Sequence, residues 1–381
     1  MTSRERVVAA LSHREPDRVP VDIGGGSSTS ISVEANAKLK RHLGLAGNSA
    51  ELSKIFRVAA LDEEVMQRLG SDCRPLRSKS PRRWSPPPSA PGTLEDFWGV
   101  TWKQQPVGES DYYWEIKRNP LADASIADLK HFPWPDPLDP GFTSALRADA
   151  EALFTNTQYA VEASDGFCSF WEVACNLRGF EQLLTDLVIN PRFVEALMEK
   201  VLEINLALAE RFLEEAGPYI QIFRTADDLA TQSGLLMSLD MYRSRLKPFH
   251  RKYFDFLKSH TSAAILYHSC GNITDLIDDL VEIGVDAINP VQVSAMPESA
   301  TLKSRFGGKI TFWGGIDTQR VLPCGSVDDV TEEVRRRIRD LGPGGGFVLG
   351  AVHSIQSDVP PENILAMADA ARRFGGYPIS V

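Results

Sequence analysis

The sequence predicts an α/β fold, a single (β/α)8 TIM barrel that occupies residues 1–381. Short apolar runs alternate with longer amphipathic runs over most of the chain, a pattern typical of strands joined by crossover helices in a parallel sheet. Seven strands of this kind can be recognised, and a number so close to eight favours closure into a barrel over an open sheet. A length of 381 residues suits one barrel with insertions.

The order of the elements follows from these runs. Strands are predicted at 19–22, 159–162, 219–223, 264–268, 287–289, 310–313 and 347–350. Helices are predicted at 193–216, 239–259, 273–282 and 327–340. The missing eighth strand is expected near Cys168 or in the terminal segment 375–379. An N-terminal extension precedes the barrel as a helix over Ser3–Leu11, with Ser3 as its N-cap residue.

An insertion is predicted at about 76–140, where the composition of the chain changes. Aromatic residues concentrate there, from Trp84 to the run 112–114, and two β-rich runs separated by Gly, Glu and Ser predict a hairpin. The proline-dense segment 131–137 excludes a helix or a central strand. We expect the aromatic side chains to form the core of this small β-subdomain, with the lining of a substrate entrance as the alternative.

Charge and cysteine content exclude several classes of protein. Lys and Arg number 41 against 51 Asp and Glu, a net charge of −10, which argues against binding to nucleic acid or to an anionic membrane. The sequence shows no apolar run long enough for a membrane span or a signal peptide, so we expect a soluble cytoplasmic protein. Five cysteines are too few and too scattered for a disulfide framework, and reduced thiols are expected.

Polar residues that follow the predicted strands are the first candidates for a functional site, because catalytic groups of a barrel lie at the carboxyl ends of its strands. These residues are Asp22, Glu162, Asp165, Thr225, Asp227, Asp228, His268, Cys270, Asn289, Gln292, Asp317, His353 and Gln356.

The tripeptide His268-Ser-Cys270 is the most informative of them. Alternate residues at a strand end project to the same side, so the imidazole and the thiol can converge on one point. Zn²⁺ is bound by this pair of ligand types, with one position left open in catalytic sites. The alternative is a histidine bonded to neighbouring loops beside an inert buried cysteine.

A third zinc ligand must come from elsewhere in the chain. His353, three residues beyond a predicted strand, is preferred over Cys324, which lies on a loop leading to a helix. The carboxylates Glu162, Asp227 and Asp228 are expected to complete the metal shell or to act as general acid or base, although one of the two aspartates is expected to cap the following helix instead. The residues expected to bind substrate are Asp22, Asn289, Gln292, Asp317 and Gln356.

Several segments together resemble the uroporphyrinogen decarboxylase superfamily. The segments that carry this resemblance are 14–22, 227–234, 241–248, 268–272, 314–319 and 353–363. They span nearly the whole chain. The resemblance implies a (β/α)8 barrel, which would supply the strand that the sequence pattern does not show.

The superfamily divides into porphyrinogen decarboxylases and corrinoid-linked methyltransferases, including the methylcobamide:coenzyme M type. The decarboxylases carry an Arg-rich N-terminal segment that holds the carboxylates of the substrate. The corresponding stretch here, 22–28, contains no arginine. A polycarboxylate would be poorly matched to such a segment in a protein of net charge −10, so the resemblance favours the methyltransferase branch.

Methyltransferases that this chain resembles hold zinc with His-x-Cys and a later Cys. His268 and Cys270 match the first two positions, and His353 stands near the third. The exchange of Cys for His weakens the case for coenzyme M as the acceptor and leaves a different ligand set open. It also removes one thiolate charge, and a more Lewis-acidic zinc suits an ether oxygen or an amine as the leaving group.

The sequence therefore predicts a zinc-dependent methyltransferase. It would move a methyl group between a small methylated substrate, of the methoxylated aromatic or methylamine type, and a corrinoid. The chain lacks a DxHxxG segment, so the corrinoid (cobalamin) is expected on a separate protein. The alternatives are a metal-independent decarboxylase that uses His353 and an Asp, and a non-catalytic protein that binds a tetrapyrrole or corrinoid. The oligomeric state is left open, a homodimer included.

Overall fold

The computed structural model of the protein describes residues 1–47, 50–107, 111–164 and 170–380. The strands are β1 (Glu51–Ser53), β2 (Val58–Ala59), β3 (Cys73–Arg77), β4 (Thr93–Glu95), β5 (Thr101–Val107), β6 (Asp111–Arg118), β7 (Ala160–Ser164), β8 (Ile222–Ala226), β9 (Ala230–Thr231), β10 (Gly234–Leu235), β11 (Ala264–His268), β12 (Ala287–Asn289), β13 (Thr311–Ile316) and β14 (Phe347–Ala351).

The α-helices are α1 (Ser3–Leu11), α2 (Val33–His42), α3 (Glu63–Leu69), α4 (Leu146–Asn156), α5 (Phe170–Arg178), α6 (Phe180–Ile189), α7 (Pro191–Ala216), α8 (Leu239–Met241), α9 (Lys247–His260), α10 (Ile277–Glu282), α11 (Ser299–Phe306), α12 (Val321–Cys324), α13 (Val327–Leu341) and α14 (Pro361–Phe374). Among the described residues, 3-10 turns lie at Asp128–Lys130, Gly217–Tyr219 and Thr274–Leu276, and a π turn lies at Tyr242–Leu246.

Seven parallel strands form the main sheet, in the order β14-β13-β12-β11-β8-β7-β3. The segment 19–22 lies between the two edge strands. Val21 forms a parallel bridge with Leu349 of β14, and the Asp22 amide donates to the Leu349 carbonyl at 2.8 Å. On the other side the Asp72 amide, next to β3, donates to the Val21 carbonyl at 2.7 Å. These bonds close the sheet, and the predicted (β/α)8 barrel is confirmed.

The eighth strand is β3, so the expectation that it lies near Cys168 or at 375–379 was wrong. Cys168 falls outside the described residues, and Gly376 makes only an isolated antiparallel bridge with Arg18. The sequence Cys-Arg-Pro-Leu-Arg hides β3 because its charged residues break the apolar pattern expected of a buried strand.

Several other boundaries also shift. β11 and β12 have the predicted bounds, whereas β8 begins at Ile222, because the chain forms a 3-10 turn at Gly217–Tyr219 after helix α7. Helix α1 is capped by Thr2 instead of Ser3. The Thr2 hydroxyl accepts from the Glu5 amide and the Glu5 carboxylate accepts from the Thr2 amide, a complete capping box.

The stretch between β3 and β7 contains the predicted hairpin. Strands β5 and β6 pair antiparallel, and β4 adds a third strand. Aromatic rings pack beside this small sheet in edge contacts, with Phe97 at 6.3 Å from Trp84 and 5.9 Å from Phe142 between ring centroids. Trp98 contacts Trp134 in the same way at 6.5 Å. The aromatic β-hairpin insertion is confirmed.

The floor of the barrel is closed by the N-terminal helix. Val7 and Ala10 of α1 pack with one core residue from each of the seven sheet strands. Those strand residues are Cys73, Ala160, Ile222, Leu266, Ala287, Trp313 and Val348. The amino-terminal end of the barrel is therefore sealed, and the carboxyl ends of the strands remain for a functional site.

Within the described part of the chain, none of the helices combines the length and the apolar character that crossing a bilayer requires.

Candidate active site at the barrel mouth

Three side chains at the carboxyl end of the barrel form the group we call the mouth cluster: His268, Cys270 and His353. His268 is the last residue of β11, and His353 follows the end of β14. One ligand atom from each of the three lies within 4.8 Å of the others. Cys270 Sγ is 3.4 Å from His268 Nε2, and the two imidazole rings are 5.9 Å apart.

The orientation of His268 is set by Asn289 of β12. Arg224 donates to Asn289 Oδ1 at 3.0 Å, and Asn289 Nδ2 donates to the carbonyl of Trp313 at 3.3 Å, so Oδ1 is an acceptor. His268 Nδ1 lies 2.6 Å from that oxygen and must donate to it. The neutral imidazole therefore carries its lone pair on Nε2, the atom that faces Cys270.

Burial sets the protonation of the mouth cluster. It lowers the pKa of His268 to about 4, so this imidazole is neutral at pH 7. Burial also lowers the pKa of His353. Burial and the neighbouring carboxylate of Asp228 raise the pKa of the Cys270 thiol. In the isolated protein the thiol therefore keeps its proton, and a bound cation would displace it.

The mouth cluster fits a zinc ion. Tetrahedral zinc with Zn–S near 2.3 Å and Zn–N near 2.0 Å places neighbouring ligand atoms roughly 3.5 Å apart. The separation of 3.4 Å between Cys270 Sγ and His268 Nε2 agrees with that value. Two neutral imidazoles and one thiol are a donor set that zinc accepts, and three protein ligands leave a fourth position for substrate.

The neighbouring aspartates Asp227 and Asp228 point in different directions. Asp227 is fully buried, and its carboxylate accepts from the Glu172 amide in the first turn of α5 and lies 3.0 Å from His250 Nε2. It thus caps α5 in space, not a helix that follows it in sequence. Asp228 accepts from the Cys270 amide at 2.8 Å and lines a cavity beside the mouth cluster.

Glu162 lies deeper in the barrel than the sequence prediction implies. Its carboxylate bonds to Arg224 Nε, and the residue is 2 % exposed. Burial raises the pKa of Glu162 to about 7, Arg224 acts against this shift, and the nearby Asp22 adds to it. Glu162 does not line the cavities that the described residues form at the mouth.

Asp22 supports the glycine loop that follows the segment 19–22. Its two oxygens accept from the Gly25 amide and from Trp313 Nε1, both at 2.9 Å. The loop passes so close to the buried carboxylates that a Cβ at Gly26 would lie 2.5 Å from Glu162 Oε1. Only glycine fits there without displacing the ion pair.

Three of the predicted substrate-binding residues hold loops at the mouth. Gln292 accepts from the Gly271 amide at 2.7 Å, next to Cys270. Asp317 accepts from the Gln319 amide at 2.8 Å, and Gln356 donates to Ser354. Cys324 is exposed on α12, outside the mouth cluster, and Asp165 lies outside the described residues.

Two neighbouring cavities open at the mouth. The smaller, about 110 Å³, is lined by His268, His353 and Asp228 among others. The larger, about 250 Å³, is lined by Arg77, Lys79, Phe97 of the insertion and Phe142, which follows the insertion. Both cavities share Ser27, Phe56, Arg224 and Ala226 in their walls.

Sequence reasoning missed two arginines of this site. Arg224 lies within β8 and contacts Glu162, Asn289 and the loop residue Ser28. Arg77 ends β3, the strand that was not recognised. The available signal was a charged residue inside an otherwise apolar strand, at 224, which calls for a buried partner.

A sequence model described as "Uroporphyrinogen decarboxylase (URO-D)" matches residues 122–374. The chain belongs to the uroporphyrinogen decarboxylase family. The superfamily resemblance carried by the motifs is thereby confirmed, and the chain is an enzyme of this superfamily.

Two relatives and one solved structure give the scale of the likeness. The uroporphyrinogen decarboxylase of Alkalilimnicola ehrlichii is 24% identical over 263 residues, covering 66% of this chain and 67% of the relative. The uroporphyrinogen decarboxylase of Anaeromyxobacter dehalogenans is 24% identical over 271 residues, covering 68% of this chain and 70% of the relative. A methyltransferase from Methanosarcina mazei superimposes with a TM-score of 0.67 at 18% identity, over 98% of this chain and 99% of that one. The last comparison shows a shared fold.

Proposed function

We propose that the protein is a zinc-dependent methyltransferase, which moves a methyl group between a small methylated substrate and the corrinoid of a separate protein. The observation that carries this proposal is the mouth cluster, in which a thiol and two imidazoles converge beside a cavity. The hydrogen bond from His268 to Asn289 leaves a lone pair directed toward Cys270, as a metal ligand requires.

In this proposal His268, Cys270 and His353 hold the zinc ion. Bound zinc would supply Lewis acidity at the heteroatom that carries the methyl group. The chain's own residues position the reactants: Asn289 keeps His268 in one orientation, and Asp228 keeps the Cys270 loop in place through its amide. Such support fixes the ligands before substrate arrives.

Of the three carboxylates predicted for proton transfer, Asp228 is the best placed. It lines the smaller cavity together with both histidines, whereas Asp227 and Glu162 are occupied in the interior. When the methyl group leaves, the substrate heteroatom keeps the bonding electron pair and takes up a proton. We assign Asp228 to hold that proton, and Asp227 and Glu162 to positioning.

The second candidate function is a metal-independent decarboxylation, favoured by the names of the curated relatives. In that reaction His353 and Asp228 would move protons. The thiol beside His268 argues for the methyltransferase, because a decarboxylase without metal has no need of it. The fold shared with the Methanosarcina mazei methyltransferase is consistent with this choice.

Zinc content tests the proposal directly. We expect the purified protein to hold about one equivalent of zinc, and Cys270→Ala to hold less than about a tenth. Cys324→Ala is the matched control, because Cys324 is exposed and outside the mouth cluster, and its zinc content should stay unchanged. Zinc lost from the Cys324 variant and retained in the Cys270 variant would contradict the ligand assignment.

A transfer assay separates the three functions. The protein is mixed with a corrinoid protein in the cob(I)alamin state and with methoxylated aromatics or methylamines, and the cobalt(I) spectrum is followed. A methyltransferase methylates the cobalt, and chelation of zinc stops the reaction. A binding protein leaves the spectrum unmethylated, and a decarboxylase keeps its own activity after chelation.

We also propose a cytoplasmic location. The four cysteines within the described residues are all free, as a reducing compartment requires.

A further inference from the structure

The larger cavity at the mouth contains a cation that forms no direct ion pair within the described residues. Arg77 lies in its wall, and the buried Nε of this residue has no hydrogen-bond partner within the described residues. The other cations of the wall are matched: Lys79 pairs with Asp149 at 3.0 Å, and Arg224 pairs with Glu162. Burial lowers the pKa of Arg77, and the Glu162 carboxylate favours the charged form and raises that pKa, but Glu162 forms no direct ion pair with the Arg77 guanidinium.

Two other polar groups of the same wall, on Thr225 and Arg224, have no hydrogen-bond partner among the described residues. Thr225 is 3 % exposed and its hydroxyl has no hydrogen-bond partner among the described residues, and one terminal nitrogen of Arg224 is in the same situation. Five serines add further hydroxyls: Ser27, Ser53, Ser78, Ser80 and Ser164. None of the described lining residues is acidic. The cavity therefore offers donors and positive charge, which is the chemistry that binds an oxyanion.

The charge on Arg77 persists at neutral pH. Burial lowers the pKa of Arg77 to about 10, so the guanidinium stays protonated at pH 7. A buried charge without a direct ion pair destabilises the protein, and an anion that enters the cavity reduces that penalty. A carboxylate suits a guanidinium, because both groups are planar and can form two parallel hydrogen bonds.

One part of the cavity wall is apolar, and the cavity borders the smaller one that contains the mouth cluster. Phe56, Phe97 and Phe142 face it, which favours a flat aromatic ring. Phe56 and Arg224 also line the smaller cavity that contains His268 and His353. A molecule with a ring between its two ends can therefore contact Arg77 at one end and the mouth cluster at the other.

We propose that the methylated substrate is an aromatic carboxylate, whose carboxylate binds Arg77 while its methyl-bearing heteroatom lies at the mouth cluster. The inference rests on the proposed methyltransferase function, and it selects methoxylated aromatic acids over methylamines. The carboxylate subsite itself needs neither zinc nor corrinoid in order to bind.

Equilibrium binding of two probes tests this subsite. We compare 4-methoxybenzoate with methoxybenzene, its neutral counterpart, by calorimetric titration of the wild-type protein and of Arg77→Gln. The wild type should bind the benzoate about ten- to a hundredfold more tightly than methoxybenzene, and Arg77→Gln should lose most of that preference. Arg77→Lys, which keeps the charge without the planar fork, should retain part of it.

Arg83→Gln is the matched control, since Arg83 is 64% exposed on the same stretch and pairs with Asp136. Its affinity for the benzoate should equal that of the wild type. Equal affinity of the wild type for both probes, absence of benzoate binding, or unchanged preference in Arg77→Gln would each overturn the subsite. A preserved benzoate preference in a protein that methylates no corrinoid would refute the proposed function alone.

Discussion

Two groups of metal-competent side chains lie in the described part of this barrel, and they differ in what surrounds them. The mouth cluster combines two histidines with Cys270, and the second group, which we call the buried cluster, combines Asp22, Cys73 and Glu162. In each group the ligand atoms lie within 4.8 Å of one another. Proximity of ligands therefore does not distinguish the two.

Charge and access do distinguish them. In the buried cluster Arg224 already bonds to Glu162 and provides the cation, and burial with the nearby carboxylates raises the pKa of the Cys73 thiol well above its usual range. The glycine loop fills the remaining space, since a Cβ at Gly25 would lie 2.6 Å from Glu162 Oε2. At the mouth cluster the partner of His268 is a neutral amide, and a cavity opens beside it. A metal site needs lone pairs without a competing cation, in a place that an ion can reach.

Removing one side chain from each cluster should produce the largest difference, which is a difference in zinc content. His353→Ala should reduce bound zinc to less than about a tenth of an equivalent, because a ligand is lost. Cys73→Ala should keep its zinc and lose about 1 kcal/mol of stability from the small cavity in the core. Metal analysis and urea denaturation measure both. Loss of zinc from the Cys73 variant would instead assign the zinc site to the buried cluster.

The next largest effect should come from Asn289, the neutral hydrogen-bond partner of His268. Asn289→Ala removes the acceptor that fixes His268 Nδ1, and zinc affinity should fall about 10- to 100-fold in competition with a chromogenic chelator. Asn363→Ala is the control, because Asn363 is also buried and bonds two backbone carbonyls, of Leu322 and Gly325, away from the cluster. If both variants bind zinc equally well, the orientation of His268 by Asn289 has no bearing on the metal.

The close packing of the buried cluster should appear as a smaller effect on stability. Gly26→Ala places a methyl group against Glu162 and Arg224, so the free energy of unfolding should fall by about 1–3 kcal/mol. Gly308→Ala, where a Cβ meets nothing within 4 Å, should change it by less than about 0.5 kcal/mol. Equal values for the two variants in urea denaturation would show that the loop has room to move.

The last effect is the pH dependence of stability. The folded chain holds a proton on Glu162 up to about pH 7, whereas the unfolded chain releases it near 4.5. Stability from this group is therefore present at low pH and is lost as the pH rises toward 7, with a slope of up to about 1 kcal/mol per pH unit. Glu162→Gln should remove this slope, and Glu151→Gln, at an exposed site, should not. A slope that persists in the Glu162 variant would assign it to another group.

The barrel could be predicted because its strands alternate with amphipathic helices, and β11 and β12 were placed at their true bounds. Strand β3 could not be predicted, because a strand that carries Arg74 and Arg77 resembles a loop in sequence. The charge of Arg74 is matched only in three dimensions, because its guanidinium stacks on Tyr159 at 3.4 Å and pairs with Glu63.

The candidate site, like the fold, could be predicted only in part from the sequence. Residues at strand ends could be found by their position, and the sequence brought His268, Cys270 and His353 forward as a group. The direction of each side chain could not be predicted from the sequence. Asp227 and Asp228 are adjacent and follow the same strand, yet Asp227 faces the interior and Asp228 faces the cavity. A strand-end position places a residue near the mouth, and its packing neighbours determine where its side chain points.

The bridge between Val21 and Leu349 constrains how the chain reaches its native state. The first segment of the barrel and the last strand lie more than three hundred residues apart, yet each is the neighbour that the other requires. During synthesis the segment 19–22 therefore has no partner on one side until β14 has been made. The barrel can close only after almost the entire chain is available, so closure is a late event in the folding of this protein.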